Sequence, residues 1–186
     1  TDAIQKCMDS NEVLVMFSYK PYKITNTIKV TKDKSIFGGV FFMPSSDNRI
    51  SLFSINDTKH FEITDSIFSS IRDNTNVYPP KGHTRVSDSL SSNITFVKCN
   101  NVNNVFINNT SFFNSEYDLT LDNCETVNID KFSSLNASMH VYATGNKNLN
   151  WNNGTVKLYD KLGNGDHHFY ICYGNDDFKV SNVKME

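Results

Sequence analysis

The chain has 186 residues, of which 20% are charged and 38% hydrophobic, and its net charge is −2. That length supports one domain with a continuous core and is too short for two generous ones. The Lys and Arg residues are scattered, so no basic stripe exists for a nucleic-acid backbone, and no apolar run approaches the ~20 residues of a membrane span.

The first 24 residues, TDAIQKCMDSNEVLVMFSYKPYKI, predict one helix followed by strands. The helix occupies residues 1–10, with Thr1 or Asp2 as its cap and Ile4, Cys7 and Met8 on one buried face, at the i, i+3, i+4 spacing. After it the pattern changes to short apolar-x-apolar units separated by Asn, Asp, Ser, Thr and Gly. Residues 50–63 overlay residues 94–107 at an offset of 44: Ile50 meets Ile94, Leu52 Phe96, Ile55 Cys99, Phe61 Val105 and Ile63 Ile107. An offset of 22 carries Val105 and Ile107 onto Val127 and Ile129, and these onto Leu149 and Trp151. Phe178 and Val180 take the same places in a last turn.

Period-two alternation within each unit marks a strand with one buried face. A repeat near 22 residues made only of short strands and turns predicts a parallel β-helix, whose coils stack ~4.8 Å apart with like residues in ladders. Leucine-rich repeats would show an LxxLxL framework, which is missing. A β-sandwich is the competing arrangement, disfavoured by the near absence of NG or DG hairpin signals. In the predicted register Thr64, Asn108, Asp130 and Asn152 stack at a corner, which gives the asparagines a structural role. Cys7, Cys99, Cys124 and Cys172 lie far apart with no CxxC, so reduced thiols are expected and no metal or cofactor.

The domain expectation is a single β-helix: a capping helix (1–10), first coils (13–68), an inserted surface loop (69–92) and later coils (93–186), together a piece of a longer chain. The insertion is conspicuous because 31 residues separate Ile63 from Ile94, where 12 separate Ile107 from Leu119 and Ile129 from Val141. It holds Lys81 and the stiffening pair Pro79-Pro80. Its candidate carbohydrate-binding residues are Arg72, Asp73, Tyr78, His83, Arg85 and Asp88: a ring to stack on sugar and hydrogen-bonding or charged groups for hydroxyls. The competing reading is a solvated excursion or a subunit contact.

Glycoside hydrolysis needs two carboxyl groups about 5–5.5 Å apart for retention, or 6.5–9.5 Å for inversion. In this register no two acids share a ladder: Asp122 aligns with Val97 and Thr144, Asp130 with Asn108 and Asn152, Glu62 with Phe106 and Asn128. Glu62 with Asp65, and Asp73 with Asp88, remain open as pairs. The rings of His167 and His168 point to opposite faces of a strand, which argues against joint metal ligation. Phe106 points outward from between Val105 and Ile107.

Asp2-Ala3-Ile4-Gln5-Lys6-Cys7-Met8 resembles the D-x-A-I-Q-x-A-I helix before the first coil of pectate-lyase-like right-handed β-helix proteins. VMFSYKPYKI (15–24) is similar to that family's V-x-F-P-x-G-x-Y-x-I, with a departure at Tyr19-Lys20-Pro21, and TIKVTKDKSIFGG (27–39) to the segment completing the first coil. The resemblance implies an all-β, right-handed parallel β-helix with an N-terminal capping helix. Pectin-active enzymes, galacturonases and bacteriophage tailspikes share such openings, so fold leaves function open. The member it most resembles is a phage tail spike or appendage. That implies a homotrimer in a virion tail, assembled with other tail proteins in the host cytoplasm, recognising host cell-wall or capsular polysaccharide with or without depolymerase activity. The alternative is a secreted polysaccharide-degrading enzyme, a pectin-type lyase or glycoside hydrolase.

Overall fold

The computed structural model describes residues 1–44, 49–71, 94–135, 137, 139–157 and 168–186. Helix α1 (Asp2–Asp9) opens the chain, and the other regular elements among the described residues are strands. One sheet stacks, in order, β3 (Ile28–Val30), β6 (Ile50–Asn56), β9 (Ile94–Asn100), β11 (Tyr117–Asp122), β13 (Met139–Thr144) and β15 (His168–Tyr173). The other stacks β1 (Leu14–Met16), β4 (Lys34–Phe37), β7 (His60–Thr64), β10 (Asn104–Phe113), β12 (Thr126–Leu135), β14 (Asn148–Lys157) and β16 (Asp177–Met185). A side arm of β2 (Pro21–Lys23), β5 (Val40–Pro44) and β8 (Ile67–Ile71) joins the second sheet at β10. Every neighbouring pair is parallel, because each rung returns to its sheet only after crossing the other. The fold is an all-β parallel β-helix.

The predicted register holds on the second sheet. Val105 lies between Phe61 and Val127, Ile107 between Ile63 and Ile129, and the ladder continues through Leu149 and Trp151 to Phe178 and Val180. On the first sheet one alignment moves by three residues. Asp122 stands beside Asn100 rather than Val97, and Val97 pairs with Leu119. The insertion is therefore longer than the sequence count suggests: 34 residues separate Ile63 from Val97, against 12 from Ile107 to Leu119.

Left-handed backbone makes the corners. At one corner Asp57, Asn101, Asn123, Gly145 and Gly174 have positive φ, and at another Gly38, Asp65, Asn109, Lys131, Asn153 and Asn182 do. Asn and Asp reach this region at lower cost than other L-residues, and their side chains also tie rungs together. Asn101 Nδ2 donates to Asp57 (3.0 Å), Asn109 Nδ2 to Asp65 (2.6 Å) and Asn153 Nδ2 to Asp130 (2.8 Å). Lys131, at φ 51°, is the exception within its ladder. Lys131→Asn is expected to raise unfolding stability by about 0.5–1 kcal/mol, read as a higher urea midpoint. An unchanged midpoint would mean that the lysine side chain compensates for its backbone.

Aromatic rings run up the interior at nearly the rung spacing. Phe41 contacts Phe68 at 5.2 Å, Phe68 contacts Phe112 at 5.1 Å, Phe112 contacts Phe132 at 5.0 Å and Phe132 contacts Trp151 at 5.2 Å. The four cysteines are free thiols. Burial pushes Cys124 up to about 11 and Cys99 well up, so both serve as small neutral core residues.

The capping helix differs from expectation in two details. Cys7 is exposed while Ile4 and Met8 are buried, because a helix this short turns only one narrow stripe to the core. Thr1 does not cap with its side chain; its Oγ1 accepts instead from the Thr25 N–H at 2.9 Å. Gln5 performs the end-capping: Nε2 donates to the Lys29 carbonyl and Oε1 accepts from the Lys29 N–H, both at 2.8 Å. This pairs with the free edge of β3 as another strand would. Lys34 sits buried on the same ladder as Phe61, its ammonium donating to the carbonyls of Ser10 and Glu12. Burial holds its pKa below the usual lysine value.

Candidate functional site

An open groove of about 280 Å³ crosses the outer face of the first sheet, lined by Arg49, Ile50, Ser51, Thr95, Lys98, Tyr117, Thr120, Asp122 and Tyr142. Parallel stacking alone brings these residues together. Thr95 pairs with Tyr117, and Thr120 lies between Lys98 and Tyr142. Each of strands β6, β9, β11 and β13 thus supplies one layer of the wall.

Two tyrosines dominate the lining. Tyr117 and Tyr142 meet edge to face with ring centroids 6.1 Å apart. Burial, reinforced by the Glu116 carboxylate, raises the Tyr117 phenol above its usual value, so it stays a neutral hydrogen-bonding group at neutral pH. Glu116, with its side chain 4% exposed, is held by Arg49 at 2.6 Å, while Arg49 itself is 72% exposed. Asp122 Oδ1 accepts from the Thr144 hydroxyl. Thr120 Oγ1 is shut off from solvent and has no hydrogen-bond partner among the described residues. The combination of flat rings with hydroxyl, ammonium and carboxylate groups suits a sugar, whose apolar ring faces stack and whose hydroxyls need donors and acceptors.

Among the described residues Asp122 is the one carboxylate in the lining. Glu116 lies six residues back along the same chain segment, roughly 16–20 Å away at ~3.3 Å per strand residue. That exceeds both hydrolytic spacings, which end at about 9.5 Å. Among the described residues the groove therefore holds binding groups and no acid pair for hydrolysis.

Directly inside this wall lies a buried polar cluster. Asp118 and His140 are fully buried, together with Ser115 and Ser134. His140 Nδ1 is 3.0 Å from Asp118 Oδ2, Ser115 Oγ donates to Oδ1 at 2.7 Å, and Ser134 Oγ donates to Oδ2. Ser134 Oγ also lies 2.7 Å from His140 Nδ1, which fixes the Nδ1–H tautomer, since the hydroxyl proton already goes to the carboxylate. His140 Nε2 is buried and has no hydrogen-bond partner among the described residues. These are the residue types of a nucleophilic triad, but none of them reaches solvent, and the serine proton goes to the aspartate rather than to the imidazole. The cluster is structural.

All six candidates from the sequence, Arg72, Asp73, Tyr78, His83, Arg85 and Asp88, lie outside the described residues, as do Lys81, Pro79, Pro80 and His167. The segment that carries the six rejoins the fold at Ile94, one residue before groove-lining Thr95. Of the open acid pairs, Glu62 sits 3.6 Å from His60, and Asp65 accepts from Asn109. Phe106 points outward as expected, half-buried between Glu62 and Asn128, with the His60 ring 5.7 Å away.

Sequence reasoning missed Tyr117, Tyr142 and Arg49. Strict alternation would turn Tyr117 inward with Leu119 and Leu121. The rungs of β6, β9, β11 and β13 instead break step, with successive inward residues at Leu52-Phe53, Phe96-Val97, Asp118-Leu119 and His140-Val141. The adjacent apolar pairs in the first two rungs are the signal that was present.

Among solved structures, the chain is similar to the crystal structure of a protein from Parabacteroides merdae ATCC 43184, provisionally described as a glycosyl hydrolase. The TM-score is 0.71 at 13% sequence identity, covering 100% of this chain and 88% of that one. The likeness is one of fold. No family model matches the sequence, and no curated protein does. A β-helix shared at this identity leaves the chemistry to be argued from the groove.

Proposed function

We propose that this β-helix binds polysaccharide in the groove of Tyr117, Tyr142 and Asp122, and that it does so as part of a phage tail spike or appendage. In this reading the target is host cell-wall or capsular polysaccharide, and the chain works in a virion tail as a homotrimer. The observation that carries the binding function is the pair of groove tyrosines, flanked by Lys98, Thr120 and Asp122 on a rigid parallel sheet. The tail assignment draws on the resemblance of residues 1–39 to the opening of β-helix proteins that include bacteriophage tailspikes.

The test is an array of bacterial capsular, teichoic and plant cell-wall polysaccharides probed with the protein. Tyr117→Ala and Tyr142→Ala are each expected to weaken retention by about tenfold, the worth of one well-packed aromatic contact. Binding to no member, or unchanged binding by both variants, overturns the reading.

The likeness to a protein described as a glycosyl hydrolase favours a second reading, a secreted polysaccharide-degrading enzyme. New reducing ends, or unsaturated products, released from the bound polysaccharide would establish it. Among the described residues Asp122 is the single carboxylate of the groove, and hydrolysis needs a partner acid, which favours the binding reading.

A further inference from the structure

We infer that the bound glycan is a long polymer lying along the solenoid axis, and that Tyr173, two rungs beyond Asp122, is a separate stacking position for it. The inference rests on the carbohydrate reading of the groove. Tyr173 lies outside the groove lining, yet it continues the same aromatic line: its ring centroid is 6.4 Å from that of Tyr142, edge to face, as Tyr142 is to Tyr117. The three tyrosines step diagonally across β11, β13 and β15.

A second line of contacts runs straight up the axis to the same place. Asn100, Asp122, Thr144 and Tyr173 occupy one outward-facing row, each directly over the last. Asp122 lines the groove, so two steps of about 4.8 Å carry a ligand from it to Tyr173. Thr144, between them, already hydrogen-bonds Asp122 and keeps the row continuous and polar. Tyr173 is 62% exposed on that outer face, so its ring is open to a ligand lying along the row. A saccharide short enough to sit between Tyr117 and Tyr142 does not reach it; a longer chain held in the groove does.

The experiment uses oligosaccharides, from disaccharide to octasaccharide, cut by partial acid hydrolysis from the array polysaccharide retained most strongly. Their affinities are measured by isothermal titration calorimetry. Wild-type affinity is expected to rise in two stages with length, and Tyr173→Ala to remove the second stage, about tenfold for the longest oligomers, leaving the shortest unchanged. Tyr173→Phe, which keeps the ring, should behave as wild type. Tyr117→Ala should weaken every length. If Tyr173→Ala leaves the longest oligomers unaffected while Tyr117→Ala weakens them, the extension is wrong and the groove reading stands. If Tyr117→Ala changes nothing, both fall.

Discussion

Replacing Asp118 with alanine is expected to lower the free energy of unfolding by about 2–4 kcal/mol, because it strips a buried hydrogen-bonded cluster of its acceptor and leaves a cavity. The carboxylate receives the Ser115 and Ser134 hydroxyls and faces His140 Nδ1, and none of these groups reaches water. Without Asp118 the Ser134 hydroxyl and His140 Nδ1 still have each other, but the Ser115 hydroxyl loses its acceptor and a cavity opens beside it. The measurement is urea unfolding, in which a lower midpoint with an unchanged m-value reports stability alone. The neighbouring rungs supply a contrasting experiment. Register places Leu52 and Phe96 at the positions of Asp118 and His140, so the ladder is apolar below and polar above. A quadruple Ser115→Ala, Ser134→Ala, Asp118→Leu, His140→Leu variant would extend the apolar ladder without stranding a hydroxyl and is expected to be close to neutral in stability. A single variant as stable as the parent would show that the cluster contributes no net energy.

Truncating Phe112 to alanine is expected to cost about 3–5 kcal/mol, because the cavity cannot close against a rigid ladder. Its ring lies 5.1 Å from Phe68, 5.9 Å from Phe96 and 5.0 Å from Phe132, so it touches the rungs on both sides. The next rung cannot fill the gap. Ser134, which pairs with Phe112, is small and committed to Asp118, and Phe132 already leans across above it. Phe112→Leu keeps most of the volume and should cost less than about 1.5 kcal/mol. Equal losses for the two variants, by calorimetry or urea, would mean that ring shape rather than lost volume sets the cost.

The repeat was legible because stacking requires like residues over like. Val105, Val127 and Leu149 are chemically similar since each presses on the next, and that similarity survives in the linear order as an offset of 22. The corner was legible to within one residue: the expected row Thr64, Asn108, Asp130 and Asn152 does stack, but the left-handed backbone lies just after it, at Asp65, Asn109, Lys131 and Asn153. Cys7 and Thr1 were misread because a periodic face predicts which residues align, without saying how much of a short helix the end of the solenoid covers.

The amino-acid order by itself thus determined the coil, its register on the β10 sheet, the capping helix and the direction of most side chains, because each depends on local backbone preference or nearest-rung contact. The groove was decided elsewhere. Arg49 meets Glu116 across 67 positions of chain, and Tyr117 turns outward because its rung, like those of β6, β9 and β13, breaks step beside it. In two rungs that break is written as Leu-Phe and Phe-Val; in the next two it is written as Asp118-Leu119 and His140-Val141, and a period-two reading from Leu119 turns Tyr117 the wrong way round. Only the folded coil, by bringing Ser134 and His140 to a buried aspartate that already holds Ser115, makes an inward Asp118 affordable and leaves Tyr117 facing solvent.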